Sequence, residues 1–245
     1  MTQTINQEEV ENFEKMSQDW WDENGPCKPL HRLNPTRMSY LRAQICEHFK
    51  LDASVLKALD GLKAIDIGCG GGLVCEPMTR MGADVTGLDA AEGNIKIATE
   101  HAEQHGLDIT YLHKTAEEHV KSRKKYDIVL ALEVVEHVEN LPLFIETAAK
   151  LLKKDGILIL STLNRTAKSY MLGIVAAEHI LKWVPKGTHQ WQKFIKPSEL
   201  AQHCEDAKLT PVKISGMVFH PLKGDFEISE SDIDVNYFMS CTHAD

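Results

Sequence analysis

Five short apolar runs alternate with helical stretches, and this order constrains the fold more than any other feature of the chain. The runs are rich in Ile, Val and Leu and are bounded by Gly or Asp, which is typical of buried parallel strands. Strands are predicted at 63–68, 84–89, 108–113, 126–132 and 156–162, and helices near 72–81, 91–105, 115–121 and 140–152. The alternation indicates an α/β fold, a doubly wound sheet that binds ligands at the carboxyl ends of its strands.

The remaining segments extend this core at both ends. Two more strands at 209–219 and 233–243, with a helix at 196–207 before them, complete a mostly parallel seven-stranded sheet. We predict one domain over residues 1–245, since no linker or internal repeat divides the chain. It carries an N-terminal helical cap over residues 1–50, with a helix at 35–49, and a helical insertion at 163–195 after the fifth strand.

Composition excludes several classes of protein. With 36 acidic and 27 basic side chains, the chain has a net charge of -9, which disfavours nucleic acid as a partner. The longest apolar stretch is shorter than a membrane span, and the acidic first 24 residues resemble no secretory or transit peptide, so a bacterial cytoplasmic location is expected. Six irregularly spaced cysteines without a C-x-x-C pair predict neither a zinc site nor a disulfide framework.

The turn after the first strand predicts a cofactor site. Asp66, Gly68, Gly70 and Gly72 form D-x-G-x-G-x-G, and bare glycine backbone allows a ligand to approach the start of the next helix. Asp89 ends the second strand, where a carboxylate accepts hydrogen bonds from ribose hydroxyls. A nucleotide-like cofactor is therefore expected at this turn.

Two cofactors are compatible with these residues. A dinucleotide site requires G-x-G-x-x-G, but Leu73 or Cys75 occupies the last glycine position, which weakens the NAD interpretation. Asp66 would repel a pyrophosphate and attract an ammonium group, which favours S-adenosylmethionine. An NAD-dependent oxidoreductase remains an alternative at this point.

Specific segments carry a resemblance to a known family. "DIGCGGG", Asp89 and "KTAEEH" resemble the class I S-adenosylmethionine-dependent methyltransferases, which have a Rossmann-like fold, over about residues 60–162. Segments outside these shared motifs resemble the ubiquinone biosynthesis O-methyltransferases over nearly the whole chain. They are "WWDENGPCKPLHRLNPTR" (20–37), "EVVEHV" (133–138), the stretch 161–189, "FIKPSEL" (194–200) and "DVNYF" (234–238).

The resemblance implies both a cofactor site and a substrate. The S-adenosylmethionine-binding residues that it implies are Arg37, Gly68, Asp89 and Leu132. The local chemistry adds Asp66 and Gly70. The implied reaction is methylation of a catechol-type hydroxyl on the polyprenylated precursors 2-polyprenyl-6-hydroxyphenol and 3-demethylubiquinol, with other ubiquinone biosynthesis proteins as partners. A non-catalytic S-adenosylmethionine-binding assembly factor stays open as an alternative.

An acidic cluster follows the fourth strand. If residues 133–137 are helical, Glu133 and His137 share a face with Glu136 beside them, and two carboxylates with one imidazole suit Mg²⁺ or Mn²⁺, with Zn²⁺ as competitor. Glu136 and His137 are the predicted catalytic residues. Alternatively, His137 acts as a general base without a metal, or the acids at Glu136 and Glu139 only stabilise a helix N-terminus.

The segment 165–187 predicts contact with a membrane surface. Its apolar residues are accompanied by Arg165, Lys168, Lys182 and Lys186 on an otherwise acidic protein, and Trp183 is typical of interfacial helices. A substrate lid packed onto the core is an equally good interpretation. A polyprenyl substrate reconciles the two, since it resides in the bilayer, so peripheral association with the bacterial inner membrane is expected.

Overall fold

The computed structural model describes residues 4–171, 191–221 and 223–244. Its eight strands are β1 (Lys63–Ile67), β2 (Asp84–Asp89), β3 (Thr110–His113), β4 (Tyr126–Leu132), β5 (Leu152–Leu163), β6 (Leu209–His220), β7 (Asp225–Ser229) and β8 (Asn236–His243). They form one sheet in the order β3-β2-β1-β4-β5-β8-β6-β7. Strands β1 to β5 pair in parallel, whereas the β5–β8, β8–β6 and β6–β7 pairs are antiparallel.

The α/β prediction is confirmed, with one correction to the strand count. All seven predicted strands are present, and β7 is an eighth that pairs with β6. β7 has no continuous apolar run, because it lies at the sheet edge and all of its residues are exposed or half-buried. β4, in contrast, is buried along almost its whole length, which explains its unbroken apolar sequence.

Helices cover both faces of the sheet. They are α1 (Gln7–Met16), α2 (Lys28–Phe49), α3 (Cys75–Arg80), α4 (Glu92–Gln104), α5 (Ala116–Val120), α6 (Leu141–Leu151), the short α7 (Ala167–Ser169) and α8 (Pro197–Asp206). One buried cluster joins α5, α6 and α8 to the sheet, and a second joins α2 and α3 to it. The sheet thus separates two apolar cores, as in a doubly wound fold.

Local sequence explains where several helices begin and end. The side chain of Asn140 accepts the backbone N–H of Leu143 at the start of α6, and Thr115 forms a capping box with Glu118 at the start of α5. α2 ends where Lys50 adopts a left-handed conformation. α2 begins seven residues earlier than predicted: Pro29 lies in its first turn, and Pro35 is accommodated within the helix.

The division of the domain into an N-terminal cap and a helical insertion remains a prediction. α1 and α2 lie within residues 1–50, and α7 begins the insertion. Residues 172–190, with Lys182, Trp183 and Lys186, lie outside the described residues. Within the described part of the chain, no helix combines the length and apolar character needed to cross a bilayer.

Candidate active site

The carboxyl ends of β1 and β4 form the floor of a cavity of about 790 Å³. These strands are neighbours at the point where the strand order reverses, which is where doubly wound sheets bind ligands. The cavity brings together all nine sequence-predicted site residues, namely Arg37, Asp66, Gly68, Gly70, Asp89, Leu132, Glu133, Glu136 and His137.

Glycine is required in the turn after β1. Gly68 and Gly70 have φ values of 76° and 53°, in the left-handed region. A Cβ on Gly68 would lie 2.7 Å from a methyl of Val134, and one on Gly70 would lie 2.4 Å from the ring of Trp20. Val134 and Trp20 therefore leave no room for a side chain at either position, and both glycines line the cavity.

Asp89 is held at the end of β2 by three donors. Its carboxylate accepts the N–H of Gly70 at 2.9 Å, the N–H of Ala91 at 2.8 Å and the amide of Asn94 at 3.2 Å. Burial nevertheless raises the pKa of Asp89 above its usual range. This carboxylate has a fixed position beside the glycine turn.

Asp66 and Arg37 place opposite charges at the cavity wall. Burial raises the pKa of Asp66 to about 7, although the Cys75 thiol and the charge of Arg37 oppose this shift. Arg37 is 5% exposed, and its Nε and Nη2 have no hydrogen-bond partner among the residues that the structure describes. A buried guanidinium without an acceptor is costly, so an anionic ligand group fits this position.

The segment after β4 differs from the predicted helix. Glu133 has a left-handed φ of 54°, and a single 3₁₀ turn (Val135–His137) follows it. Glu133 accepts the Ser161 hydroxyl at 2.7 Å and the Asn236 amide at 3.0 Å on both oxygens. The predicted helical face shared by Glu133 and His137 is therefore wrong.

Glu136 and His137 have separate partners. Glu136 is 5% exposed and accepts the Thr162 hydroxyl at 2.8 Å; burial and the neighbouring Glu133 raise its pKa to about 7. His137 Nδ1 lies 3.2 Å from a carboxylate oxygen of Glu9. Burial lowers the pKa of His137, but the bond to Glu9 and the charge of Glu136 outweigh it, so the net shift is upward.

The three predicted metal ligands do not converge on one point. Among the described residues, the one group of three His, Cys, Asp or Glu with ligand atoms within 4.8 Å of one another is Glu76, His101 and His105, elsewhere in the fold. Glu133, Glu136 and His137 do not meet that condition; each is instead hydrogen-bonded to a different residue, Ser161, Thr162 and Glu9 respectively. Their chemistry still suits a hard cation: the two carboxylates are adjacent, and the charge of one raises the pKa of the other.

The N-terminal segment covers the cavity, which sequence reasoning did not predict. Trp20 donates to Asn94 at 2.7 Å and Trp21 to the carbonyl of Gly71 at 3.0 Å, so both indoles lie against the glycine turn. Glu9 joins α1 to His137 and to Lys193, whose Nζ lies 2.8 Å away. The only sequence signal was "WWDENG" within the family-like segment, because contacts across 50 or more residues leave no local pattern.

The basic residues predicted to face a membrane are partly neutralised. Arg165 pairs with Glu199, and Lys168 lies 2.6 Å from Asp232 and 3.3 Å from Asp234. Tyr170 and Met171 are 47% and 57% exposed next to the segment outside the described residues.

The fold and this cleft define a class of protein. Residues 36–214 match the family described as a methyltransferase domain. Among solved structures, magnesium protoporphyrin IX methyltransferase from Synechocystis PCC 6803, with bound S-adenosylhomocysteine, aligns with a TM-score of 0.66 at 20% identity over 96% of this chain and 98% of that one. The plantazolicin methyltransferase BpumL aligns with a TM-score of 0.62 at 16% identity, covering 98% and 100%. The protein is an S-adenosylmethionine-dependent methyltransferase.

Two curated relatives narrow the class further. The ubiquinone biosynthesis O-methyltransferase of Dinoroseobacter shibae is 50% identical over 237 residues, which are 96% of this chain and 95% of that protein. The ubiquinone biosynthesis O-methyltransferase of Azorhizobium caulinodans is 48% identical over 236 residues, which are 96% of this chain and 93% of that protein. The chain belongs to the ubiquinone biosynthesis O-methyltransferase family, which confirms the predicted resemblance and rules out the NAD-dependent alternative.

Proposed function

We propose that this chain transfers a methyl group to a catechol-type hydroxyl of polyprenylated ubiquinone precursors, at both O-methylation steps. The observation that carries the proposal is one cavity with a charged end and an apolar wall. Arg37 and Asp66 lie at the charged end beside the glycine turn, and Glu136 and His137 lie at the edge of the same space.

The charged end suits the methionine portion of S-adenosylmethionine. The guanidinium of Arg37 matches its carboxylate, and the carboxylate of Asp66 matches its ammonium group. Asp89 would accept hydrogen bonds from the ribose, and Gly68 and Gly70, which line the cavity, would contact the ligand through their backbone. Leu132, at the end of β4, completes the wall of this site.

The apolar wall suits the isoprenoid part of the substrate. α1 contributes Val10 and Phe13, and the β6–β7 hairpin contributes Val218, Phe219 and Phe226. Each buried methylene is worth about 0.8 kcal/mol, so such a wall favours a prenyl chain over a small polar substrate. The segment 165–187 is proposed to bring the enzyme to the membrane surface. The exposure of Tyr170 and Met171 within this segment supports that role.

The hydroxyl must lose its proton before or during methyl transfer. A phenol has a pKa near 10, so only about one molecule in a thousand is ionised at neutral pH. Glu136, with a pKa of about 7, can take this proton, and the carboxylate of Glu9 orients His137 for the same role through its other ring nitrogen. These residues also hold the hydroxyl beside the methyl donor, and proximity then supplies much of the rate enhancement.

A divalent cation is the alternative to a protein base. Glu133, Glu136 and His137 would hold it, and when bound it would stabilise the catecholate. The adjacent carboxylates support this possibility, whereas their present hydrogen bonds to Ser161 and Thr162 support the metal-free one.

Methyl transfer from labelled S-adenosylmethionine to a short-tailed polyprenyl catechol tests the proposal. It is measured with and without EDTA, then with added Mg²⁺, for wild type and Glu136→Ala. Activity that Mg²⁺ restores and the substitution abolishes supports the metal; activity indifferent to EDTA supports the protein base. No transfer to either precursor by protein that binds S-adenosylhomocysteine would refute the proposal in favour of a non-catalytic factor.

A further inference from the structure

A second cluster of metal-ligating side chains lies outside the active-site cavity. Glu76 of α3 and His101 of α4, together with His105 just after α4, each offer one ligand atom, and these atoms lie within 4.8 Å of one another. None of the three lines the cavity. We propose that they form a binding site for a transition-metal ion of the Zn²⁺ type.

The orientation of the two imidazoles supports this site. His101 and His105 are four residues apart at the end of α4, so they share one face. His105 Nδ1 lies 2.8 Å from the carbonyl of His101, which makes Nδ1 the protonated nitrogen and leaves the Nε2 lone pair free. A backbone carbonyl fixes the tautomer of metal-bound histidines in the same way.

Glu76 supplies a buried carboxylate whose two oxygens contact different residues. One oxygen lies 2.5 Å from His101 Nδ1, and the other accepts Arg80 Nη1 at 2.9 Å. Glu76 is 2% exposed, so its orientation is fixed. A metal ion bound to Nδ1 of His101 takes the place of the proton between this nitrogen and Glu76; the neutral imidazole then carries its proton on Nε2, while Arg80 keeps its own oxygen of Glu76.

The donor set selects the kind of ion. Two imidazoles and one carboxylate match the three protein ligands of zinc sites, with water as the fourth, whereas Mg²⁺ prefers oxygen alone. The carboxyl end of α4 adds the negative end of a helix dipole, which favours a cation. His105 is exposed, so an ion can enter from solvent.

Trp21 provides a built-in reporter. Its indole stacks on His101 with a centroid distance of 3.4 Å and an interplanar angle of 6°. A metal ion bound in the plane of the imidazole leaves this stacking in place and makes the ring more electron-poor. Binding should therefore change the fluorescence of Trp21 without any catalytic turnover.

The test is a titration of the tag-free protein with zinc, in which binding is measured by calorimetry and by tryptophan fluorescence. Wild type is expected to bind one Zn²⁺ at this site, and His105→Asn, at an exposed position, is expected to weaken that binding about tenfold or more. Glu136→Gln and the control His203→Asn on α8 should retain it. Equal zinc affinity in wild type and His105→Asn, or no binding even at millimolar zinc, would overturn the proposal, and neither result bears on methyl transfer.

Discussion

Arg37 combines a full charge, deep burial and unpartnered donors in one side chain. Burial lowers its pKa, although the charges of Glu133 and Asp66 favour the charged form. A residue in this state lowers the stability of the ligand-free protein and becomes favourable when an anion completes its hydrogen bonds. Stability and ligand affinity should therefore respond in opposite directions to its removal.

The first prediction concerns Arg37→Met, which keeps an unbranched apolar stem and removes the guanidinium. Affinity for S-adenosylhomocysteine, measured by calorimetry, should fall about 10- to 100-fold, the effect of losing about 1.5–3 kcal/mol of charge-assisted hydrogen bonding. The melting temperature of the ligand-free protein should stay unchanged or rise. Arg42→Met, on the same helix but outside the cavity lining, is the control. Unchanged affinity in Arg37→Met would contradict the assignment.

Asp66 leads to a prediction about pH. Its pKa of about 7 in the folded protein exceeds the ordinary value near 4, so its contribution to stability is complete below about pH 4 and is lost as the pH rises through about 7. Asp66→Asn should flatten the decline in melting temperature between pH 5 and pH 8, measured in EDTA. The exposed Asp108→Asn should leave that decline as in wild type, and an unaltered slope in Asp66→Asn would count against the buried acid.

At the scale of elements, the glycine turn and the N-terminal segment are packed as one unit. Gly71 has no left-handed φ, yet a Cβ there would lie 2.6 Å from Trp20. The close contact, and not the backbone conformation, requires glycine at this position. An alanine at position 71 should then be tolerated once the whole side chain of Trp20, including its Cβ, is removed.

A double-mutant cycle of Gly71→Ala and Trp20→Gly measures this contact, because glycine also removes the Cβ of Trp20. Gly71→Ala should destabilise the wild type more than it destabilises Trp20→Gly, with a coupling of about 0.5–3 kcal/mol in the free energy of unfolding from denaturant titration. Gly106→Ala serves as control, since no atom of the described residues lies within 4 Å of its Cβ position, and its effect should add to that of Trp20→Gly. A coupling of zero for Gly71 would exclude the contact.

α1 acts on the active site through Glu9. Its pKa is lowered to about 2 by the hydrogen bond with His137 and by Lys193. Glu9→Gln removes a negative charge from beside His137 and should therefore lower the pKa of that imidazole. The pKa is measured by NMR titration. Glu11→Gln, exposed on the same helix, should not change it. An unshifted His137 titration in Glu9→Gln would show that the pair does not form.

Some of these elements could be predicted from sequence and some could not, for physical reasons. β1, β2, β4 and β5 were predicted because buried strands are rich in apolar residues, and β7 was missed because its residues are exposed or half-buried at the sheet edge. β3 lies at the opposite edge and is not buried either, but Ile109, Tyr111 and Leu112 were enough to predict it. Asp66 and Asp89 were found from their places at strand ends. The left-handed Glu133 and the Trp20–Asn94 bond depend on tertiary contacts, which periodicity does not encode.

At the scale of the whole molecule, the cavity is closed by segments distant in sequence. Its wall includes α1 and the residues up to Leu33, the turn after β1, the end of β4 and the β6–β7 hairpin. A ligand bound there contacts all of them and binds only the folded arrangement. It should therefore stabilise the protein as a whole and the N-terminal segment in particular.

Hydrogen exchange followed by mass spectrometry tests this expectation. Saturating S-adenosylhomocysteine should slow amide exchange over residues 9–33 and in the glycine turn, and the melting temperature should rise. Peptides from α8, which contributes nothing to the cavity wall, provide the internal reference. Protection confined to the glycine turn would mean that the N-terminal segment does not close over the ligand.

The bonds of the N-terminal segment also have a consequence for biosynthesis on the ribosome. Trp21, Trp20 and Glu9 are translated early, but their partners Gly71, Asn94, His137 and Lys193 follow 50, 74, 128 and 184 residues later. The N-terminal segment therefore cannot form all of these bonds while β1 to β5 are translated. The full set of bonds forms only after Lys193 has left the ribosome. A nascent chain arrested before that point should hold most of the parallel sheet and still lack the complete binding site.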